Sequence, residues 1–479
     1  MTPYLITIGL ETHVQLKTAT KMFCGCSLAF GEEPNTTVCP VCMGYPGALP
    51  VMNREAVRLT VLSGLMLGCT ISRHSTFDRK NYFYPDMSKD YQISQNTHPL
   101  CLGGGVTIET PSGPKRIRIN HIHLEEDAAK INHYARFSGV DFNRCGTPLM
   151  EIVSEPDLSS PDEAMAYLQS LKQSLVYAGV SDCNLEEGNM RSDVNISVRP
   201  AGQEQLGTKV EIKNMNTFKG IYAALEYEIA RQLAVVKGGG TLVQETRRWE
   251  PELGETQSMR SKENAHDYRY FPEPDLVPVE LPEALVESWR AQLPEAPAAR
   301  RERMMAEYGI PAYDAGVLAD AKENADFFEA AARACKPGLG KTVSNWFMTE
   351  VMRLLSETGT GVGACALTPA ALAELVALVD DGVINGPTAK ELLPEVFAQG
   401  GSPRSIVNER GLAQVSDVSA LEAFIAQALA DNPKSAEDFR AGKKAAAGFI
   451  VGQVMKLSKG KADPKQVGRL VAERLTEGR

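Results

Sequence analysis

The sequence Tyr4-Leu-Ile-Thr-Ile-Gly-Leu-Glu-Thr-His-Val-Gln-Leu16 alternates apolar and polar residues near the start of the chain. In an extended strand, successive side chains point to opposite faces, so every second residue shares a face. One face would carry Ile6, Ile8, Leu10, Val14 and Leu16, and the other would carry Glu11, His13 and Gln15. This alternation is typical of a strand with one face in a core and one polar face.

Three later segments repeat the same alternation. Ile117 to Asp127 would place His121, His123, Glu125 and Asp127 opposite Ile122 and Leu124. Arg191 to Arg199 and Lys209 to Lys213 also interleave branched apolar residues with charged or polar ones. A single sheet, apolar on one side and polar on the other, accommodates all four segments. Solvation alone would explain the polar face of one strand, but carboxylates and histidines recur on these faces.

The length of 479 residues predicts several domains, because a single hydrophobic core rarely grows to that size. Two-residue alternation dominates up to about residue 290, and helical spacing dominates after the Pro-rich stretch from Leu281 to Pro297. A second boundary is indicated at Gly400-Gly-Ser-Pro403. The predicted fold class is α+β. A domain around a mainly antiparallel sheet would cover residues 1–292, and two all-α domains would cover 293–402 and 403–479.

Charge is distributed unevenly along the chain. The net charge is −10, yet Pro433 to Arg479 carries eleven Lys or Arg against five Asp or Glu, a local balance of +6. A basic tail on an acidic body favours contact with a polyanion such as RNA. The lysines that could follow an RNA backbone include Lys443, Lys444, Lys456, Lys459 and Lys461. Ordinary surface solvation is the alternative interpretation for each of them.

The sequence also predicts a compartment. It shows neither a secretory leader nor an apolar run long enough to cross a bilayer. Ten cysteines in so long a chain do not suggest a secreted disulfide scaffold. We therefore expect a cytoplasmic protein that does not enter a membrane.

Four cysteines form two close pairs, Cys24 with Cys26 and Cys39 with Cys42. Two pairs separated by a loop are typical of tetrahedral thiolate ligation of zinc, in which each pair supplies two ligands. Four cysteines leave no open position for substrate, so the spacing predicts structural rather than catalytic zinc. Four free thiols without a metal are the alternative.

Carboxylates recur along the predicted polar faces. The set comprises Glu11, Glu125, Glu126, Asp127, Glu151, Asp193 and Glu211. Oxygen ligands of this kind suit a hard divalent ion such as Mg²⁺, which phosphoryl transfer needs to neutralise charge. The sequence contains neither a Walker-type loop nor a dinucleotide fingerprint, so an ATP site would have to be of another kind. A solvated turn is the alternative for Glu125-Glu126-Asp127.

An aromatic and basic segment covers Asp78 to Gln95. Arg79, Lys80 and Lys89 could hold phosphates, and Tyr82 to Tyr84 could stack on a base or support a pocket. A well-packed loop is an equally good interpretation of these residues. The stretch from Ser258 to Asp275 repeats the same chemistry.

Motifs along nearly the whole chain resemble the GatB family, which forms the tRNA-binding and carboxylate-activating component of the tRNA-dependent amidotransferases. The matching stretches include Ile8-Gly-Leu-Glu-Thr-His-Val-Gln-Leu16, Asp78 to Gln95, His123-Leu-Glu-Glu-Asp-Ala-Ala-Lys130, Asn143-Arg-Cys-Gly-Thr-Pro-Leu-Met-Glu-Ile152, Glu186 to Asn195, Val210-Glu-Ile-Lys-Asn-Met-Asn216, Ser258 to Asp275, Gly452-Gln-Val-Met-Lys456 and Gly460-Lys461. They follow one another in order. Such a match is far more specific than any single motif.

The resemblance implies a cradle-shaped catalytic domain, a helical domain and a small helical tail that contacts tRNA. It also implies that ATP phosphorylates the side-chain carboxylate of glutamate on tRNA(Gln) or aspartate on tRNA(Asn). Ammonia from a separate amidase subunit (A) would then form the amide, and a small subunit (C) would complete the heterotrimer. The implied cofactors are ATP, Mg²⁺ and structural Zn²⁺.

The resemblance also assigns roles to residues. It places magnesium on His13, Glu125 and Glu151. Glu11, Asp193 and Glu211 are expected nearby as catalytic residues, for a second ion or the nucleotide. The cations expected to bind the nucleotide are Arg79, Lys80, Lys89, Arg191 and Lys213. Two rival interpretations are a noncatalytic, zinc-stapled RNA-binding scaffold and a free-standing ligase that acts on small acids without tRNA.

Overall fold

The fold was analysed in a computed structural model that describes residues 3–28, 31–185, 187–261, 268–414, 418–440, 443, 445–458 and 462–477. The chain divides into two compact units, Met1–Ala296 and Pro297–Arg479. The first unit contains strands and helices, whereas the elements found in the described part of the second are all helical. This confirms the predicted α+β class.

The first unit contains seventeen strands among its described residues. They are β1 (Tyr4–Gln15), β2 (Thr70–Ile71), β3 (His74–Ser75), β4 (Asp78–Asn81), β5 (Tyr91–Ser94), β6 (Cys101–Leu102), β7 (Gly105–Thr110), β8 (Gly113–Glu126), β9 (Lys130–His133), β10 (Ser138–Asp141), β11 (Pro148–Ser154), β12 (Met190–Pro200), β13 (Val210–Lys213), β14 (Glu245–Glu250), β15 (Glu255–Ser261), β16 (Phe271–Pro272) and β17 (Val279–Glu280).

Ten of these strands form one sheet, in the spatial order β15-β14-β13-β12-β1-β11-β8-β6-β2, with β7 also paired to β8. The pairings are antiparallel except that β13 and β14 run parallel. Smaller sheets join β16, β4 and β5, then β17 and β3, and then β9 and β10. The mainly antiparallel sheet expected from the alternating segments is therefore present.

Strand β1 lies near the middle of the large sheet, between β11 and β12. Ile8, Leu10 and Val14 are buried, while Glu11 and His13 are only partly buried. The alternation in the sequence thus assigns the two faces of the strand correctly. Because neighbouring strands show the same alternation, one side of the sheet packs into the core and the other is polar.

Four helices belong to the first unit, α1 (Arg54–Met66), α2 (Pro161–Tyr177), α3 (Phe218–Lys237) and α4 (Glu283–Arg290). Asn53, Ser160 and Thr217 cap the first three by accepting hydrogen bonds from backbone N–H groups of the first turn. Apolar residues of all four helices join the core formed by the buried face of β1. The helices therefore cover the apolar side of the sheet.

The second unit contains α5 (Pro297–Tyr308), α6 (Ala312–Leu318), α7 (Lys322–Ala334), α8 (Gly340–Trp346), a π-helical segment (Phe347–Val351), α9 (Met352–Thr358), α10 (Pro369–Asp380), α11 (Gly386–Gln399), α12 (Pro403–Glu409), α13 (Val418–Asp431), α14 (Pro433–Arg440), α15 (Ala445–Leu457) and α16 (Pro464–Glu477). Thr368 caps α10 and Asn385 caps α11, each followed within two residues by a proline that suits the first helical turn.

Two separate hydrophobic cores lie within the second unit. One includes residues from Met304 to Val407, and the other includes residues from Leu421 to Leu475. Helix α12 starts at the predicted boundary of residue 403, but its Val407 packs with the first of these cores. The three-domain division stays a prediction, and the change of core lies after α12. Among the described residues, no helix combines the length and apolar character needed to cross a membrane.

Candidate active site

Polar side chains form a row across the large sheet. Strand pairing places His123 opposite Glu151, Glu151 opposite His13, and His13 opposite Arg191. Directly opposed residues of antiparallel strands lie on the same face, so all four side chains point to the polar side. Residues far apart in the sequence therefore meet at one place.

Three members of this region could hold a metal ion. One ligand atom from each of His13, Glu125 and Glu151 lies within 4.8 Å of the others. His13 Nε2 is 3.1 Å from Glu151 Oε2 and 3.7 Å from Glu125 Oε1. Glu125 is only 2% exposed. Two carboxylates and one imidazole fit a small divalent cation that keeps some of its water ligands.

Electrostatics in this cluster favour ionised carboxylates. Burial disfavours the charged form of Glu151, but a hydrogen bond with His13 and the charges of His123, His13 and Lys80 outweigh it and lower its pKa. Burial likewise disfavours the imidazolium of His13, yet Glu151 and Glu125 raise the pKa of His13 overall. The same two carboxylates would be available to a cation.

A second group of acids borders the first. Glu11 lies opposite Asp193 across β1 and β12, and Asn195 donates a 2.7 Å hydrogen bond to Glu11 Oε1. Burial and the charge of Glu151 raise the pKa of Glu11. Lys213 forms ion pairs with both Asp193 and Glu211. The predicted catalytic residues Glu11, Asp193 and Glu211 are therefore neighbours on one face.

The two groups share a cavity of about 770 Å³. Its lining comprises Glu11, His13, Lys80, Tyr82, Met87, Gln92, Ser94, Gln95, Asn96, His121, His123, Glu125, Asp127, Ala128, Glu151, Val153, Arg191, Asp193, Glu211, Lys213, Thr246, Tyr268 and Tyr270. A cavity of this size accommodates a nucleotide-sized ligand. It contains all six of the acidic and histidine residues to which the sequence analysis assigned a magnesium or catalytic role.

Three of the five predicted phosphate-binding cations line this cavity. Lys80 is close enough to Glu125 that this charge outweighs burial and raises its pKa. Arg191 lies 3.1 Å from Asp127 Oδ1, and Lys213 lies between the two acids named above. Cations paired with acids at a cavity wall can exchange those partners for phosphate oxygens.

Arg79 and Lys89, the other two predicted cations, lie elsewhere. Arg79 forms ion pairs with Glu273 at 2.8 Å and Asp275 at 3.0 Å, and its guanidinium lies over the ring of Tyr91. Lys89 pairs with the buried Glu126 at 2.5 Å. Neither residue lines the large cavity. Their contacts fit the packed-loop interpretation of the segment better than phosphate binding.

The four paired cysteines converge as their spacing predicts. One sulfur from each of Cys24, Cys26, Cys39 and Cys42 lies within 4.8 Å of the others, and Cys39 Sγ is 3.9 Å from Cys42 Sγ. Tetrahedral ligation with Zn–S bonds of about 2.3 Å requires sulfurs separated by roughly 3.8 Å. The donor set therefore fits a structural zinc ion, which it would hold without an open position for substrate.

Two family models match the chain. One, described as the GatB/GatE catalytic domain, matches residues 6–287, and the other, described as the GatB domain, matches residues 326–475. The first match covers more than half of the chain and includes every residue of the cavity.

The chain belongs to the GatB family.

Similar GatB proteins match over nearly their full lengths. The protein of Caldanaerobacter subterraneus subsp. tengcongensis is 53% identical over 475 residues, which cover 99% of this chain and 100% of the relative. That of Thermodesulfovibrio yellowstonii is 51% identical over 475 residues, with the same coverage. That of Geotalea uraniireducens is 50% identical over 478 residues, or 98% of this chain and 99% of the relative. All three are named as the GatB component of an aspartyl/glutamyl-tRNA(Asn/Gln) amidotransferase.

Several residues of the GatB cavity carry no clear signal in the sequence. Gln95 is buried, accepts a 3.0 Å hydrogen bond from the backbone of Leu124, and donates one of 2.7 Å to Ser75. His123 Nε2 lies 3.6 Å from Glu125 Oε2, although the sequence shows only that it shares a face with Glu125. Gln95 follows the end of β5, and no periodicity marks it as a neighbour of β8.

The predicted RNA-binding lysines of this GatB chain are only partly described. Lys443 is exposed and lies 3.0 Å from Asp438, and Lys456 is exposed on α15. Lys444, Lys459 and Lys461 lie outside the described residues. RNA binding by the tail therefore stays a prediction.

Proposed function

We propose that the chain activates the side-chain carboxylate of glutamyl-tRNA(Gln), aspartyl-tRNA(Asn) or both with ATP, and converts it to the amide with ammonia. The names of its GatB relatives support an amidotransferase acting on these aminoacyl-tRNAs. The proposed partners are an amidase subunit (A), which supplies ammonia from glutamine, and a small subunit (C). A cytoplasmic complex would meet its tRNA substrates there.

The chemistry requires activation because a carboxylate is a poor electrophile and lacks a good leaving group. A side-chain carboxylate oxygen attacks the γ-phosphorus of ATP, the bond from that phosphorus to the β,γ-bridging oxygen breaks, and ADP leaves. Ammonia then attacks the acyl carbon of the acyl phosphate, phosphate leaves with the attacking oxygen, and the nitrogen loses a proton. The products are the amide, ADP and phosphate.

The cavity offers residues for each requirement. His13, Glu125 and Glu151 would hold Mg²⁺, which supplies charge neutralisation for the transferred phosphoryl group. Lys80, Arg191 and Lys213 would bind and orient the phosphates. Glu11 has a raised pKa, which suits it to accept a proton released when the amide forms. Asp193 and Glu211 would hold Lys213 in place or bind a second ion.

One observation carries the proposal: buried carboxylates face each other beside three cations in one cavity. Burying Glu125 next to Glu151 is unfavourable unless cations compensate the charge, and acids that only improve solubility remain exposed. A noncatalytic RNA-binding scaffold therefore gives no reason for this arrangement. The separate cysteine cluster would stabilise the fold with zinc, and the basic tail would contact tRNA.

Replacement of Glu125 in the complete complex tests this function. Glu125→Gln keeps the shape but removes a negative charge, so amidation that depends on ATP and tRNA should be lost while tRNA binding persists. Glu109→Gln, an exposed position on β7, is the matched control and should leave the rate unchanged. Normal amidation by a folded Glu125→Gln complex would refute the proposed site.

A further inference from the structure

Lys21 is a lysine enclosed by the protein. It is 0% exposed and ranks among the largest fully buried side chains of the described residues. Its ammonium donates to Cys42 Sγ at 3.6 Å and to the carbonyl oxygen of Phe142 at 3.1 Å. Within the described part of the chain, no carboxylate oxygen lies within 4.0 Å of Lys21 Nζ.

An enclosed ammonium needs an anion nearby, because transfer of an isolated charge from water into the protein interior is strongly unfavourable. The carbonyl of Phe142 supplies only a dipole. The neighbouring group able to carry a full negative charge is the sulfur of Cys42, which also accepts a hydrogen bond from the backbone N–H of Cys39 at 3.2 Å. These donors fit a thiolate better than a neutral thiol.

The charge of the four-cysteine centre supplies the reason for a cation. Four thiolates around a divalent zinc ion leave a net charge of −2. We infer that Lys21 is the counter-cation of this centre, and that its ammonium partly neutralises the metal–thiolate group and helps to retain the metal. Lys21 is not a metal ligand but acts through Cys42. This inference rests on zinc binding by the cysteines and is independent of the amidation chemistry.

The backbone around Lys21 holds its ammonium in position. Its N–H donates to the carbonyl of Cys26 at 3.0 Å, and the N–H of Met22 donates to Gly146 at 2.7 Å. Gly146 adopts a φ of +81°, and a Cβ at this position would lie 3.6 Å from Lys21 Cδ and 3.8 Å from Cys42 Cβ. The aliphatic part of Lys21 is thus packed between the two cysteine pairs and the segment before β11. Little side-chain entropy remains to be lost when its ammonium meets the sulfur.

Zinc release tests this role directly. The full-length protein, in its complex, is mixed with an excess of a chromophoric chelator, and zinc transfer is followed by absorbance. Lys21→Met removes the charge but keeps an apolar side chain of similar length, and should release zinc about tenfold faster or more. Lys17→Met is the matched control, because Lys17 lies in the same segment but is exposed and pairs with Asp182. It should release zinc at the wild-type rate.

Lys21→Gln provides a second variant if Lys21→Met does not fold. It retains a hydrogen-bond donor but no charge, so it should also release zinc faster than the wild-type protein. Circular dichroism of each zinc-loaded variant establishes that it is folded before the chelator is added. Zinc release at the wild-type rate from either folded variant would overturn the inference.

Discussion

His13 Nε2 lies 3.1 Å from Glu151 Oε2, and the two residues are direct partners in the pairing of β1 with β11. Their contact joins positions 138 residues apart in the sequence at the centre of the polar face. With Glu125 it forms the group whose ligand atoms lie within 4.8 Å of one another. The proposed catalytic role of the chain depends on this convergence.

Replacement of Glu151 should weaken magnesium binding. Glu151→Gln removes a charged ligand, so the Mg²⁺ concentration for half-maximal amidation should rise on the order of tenfold or more. Titration of the complex with Mg²⁺ at saturating ATP measures this value. Glu155→Gln, just beyond the end of β11 and outside the cavity, should behave as the wild-type protein. An unchanged magnesium requirement in Glu151→Gln would exclude this residue as a ligand.

Two adjacent cations should respond differently to replacement. Lys80 lines the cavity, so Lys80→Met should lower the amidation rate by roughly 100-fold with little change in thermal stability. Arg79 compensates the buried Glu273, so Arg79→Met should reduce the free energy of unfolding by about 3–5 kcal/mol. Steady-state kinetics and denaturant unfolding of both variants give the comparison. The reverse pattern would show that phosphate binding had been assigned to the wrong residue.

A buried aspartate predicts acid sensitivity in the second unit. Asp314 accepts hydrogen bonds from Lys341 at 2.5 Å and Ser344 at 2.8 Å, and these outweigh burial and lower its pKa. Its folded-state pKa lies below the unfolded value of about 3.9. The stabilisation is therefore complete above the unfolded pKa and is lost as the pH falls through the folded pKa.

Asp314→Asn should accordingly destabilise the chain at neutral pH and flatten its loss of stability in acid. Thermal unfolding of the wild-type protein and the variant between pH 7 and pH 3 measures the difference. The two melting temperatures should converge as the pH decreases. A difference that stays constant over this range would mean that ionised Asp314 makes no contribution of this kind.

The last hydrophobic core suggests a cleaner truncation than the predicted boundary at residue 403. Because Val407 packs in the preceding core, removal of residues after 414 should preserve that core, whereas removal from 403 would expose it. A complex with the chain ending at 414 should bind tRNA more weakly and keep its affinity for Mg²⁺ at the cavity. Filter binding of tRNA and a magnesium titration measure both. Unchanged tRNA affinity would show that the basic tail only solvates the chain.

The strands that carry the site were predictable because their pattern is local. Alternation assigned the faces of β1, β8, β12 and β13, and it brought Glu11, His13 and Glu125 to one polar side. It did not reveal β11, whose burial leaves only Glu151 and Val153 as partly exposed positions. The magnesium role of Glu151 came from the family resemblance.

Contacts between distant loops could not be derived from composition. Arg79, Lys80 and Lys89 have similar charges and lie within eleven residues, yet only Lys80 lines the cavity. The difference depends on Glu273 and Glu126, which pair with the other two cations from other parts of the fold. The burial of Lys21 beside Cys42 is likewise invisible until the cysteine pairs are folded together.

Transfer of an oxygen atom tests the proposed activation most directly. The complete complex is given ATP, glutamine and tRNA carrying glutamate whose side-chain carboxylate is labelled with ¹⁸O, and the released phosphate is examined by mass spectrometry. If the carboxylate attacks the γ-phosphorus, each amide formed should be accompanied by one phosphate containing ¹⁸O. Amide formation with unlabelled phosphate would contradict phosphorylation of the carboxylate at this site.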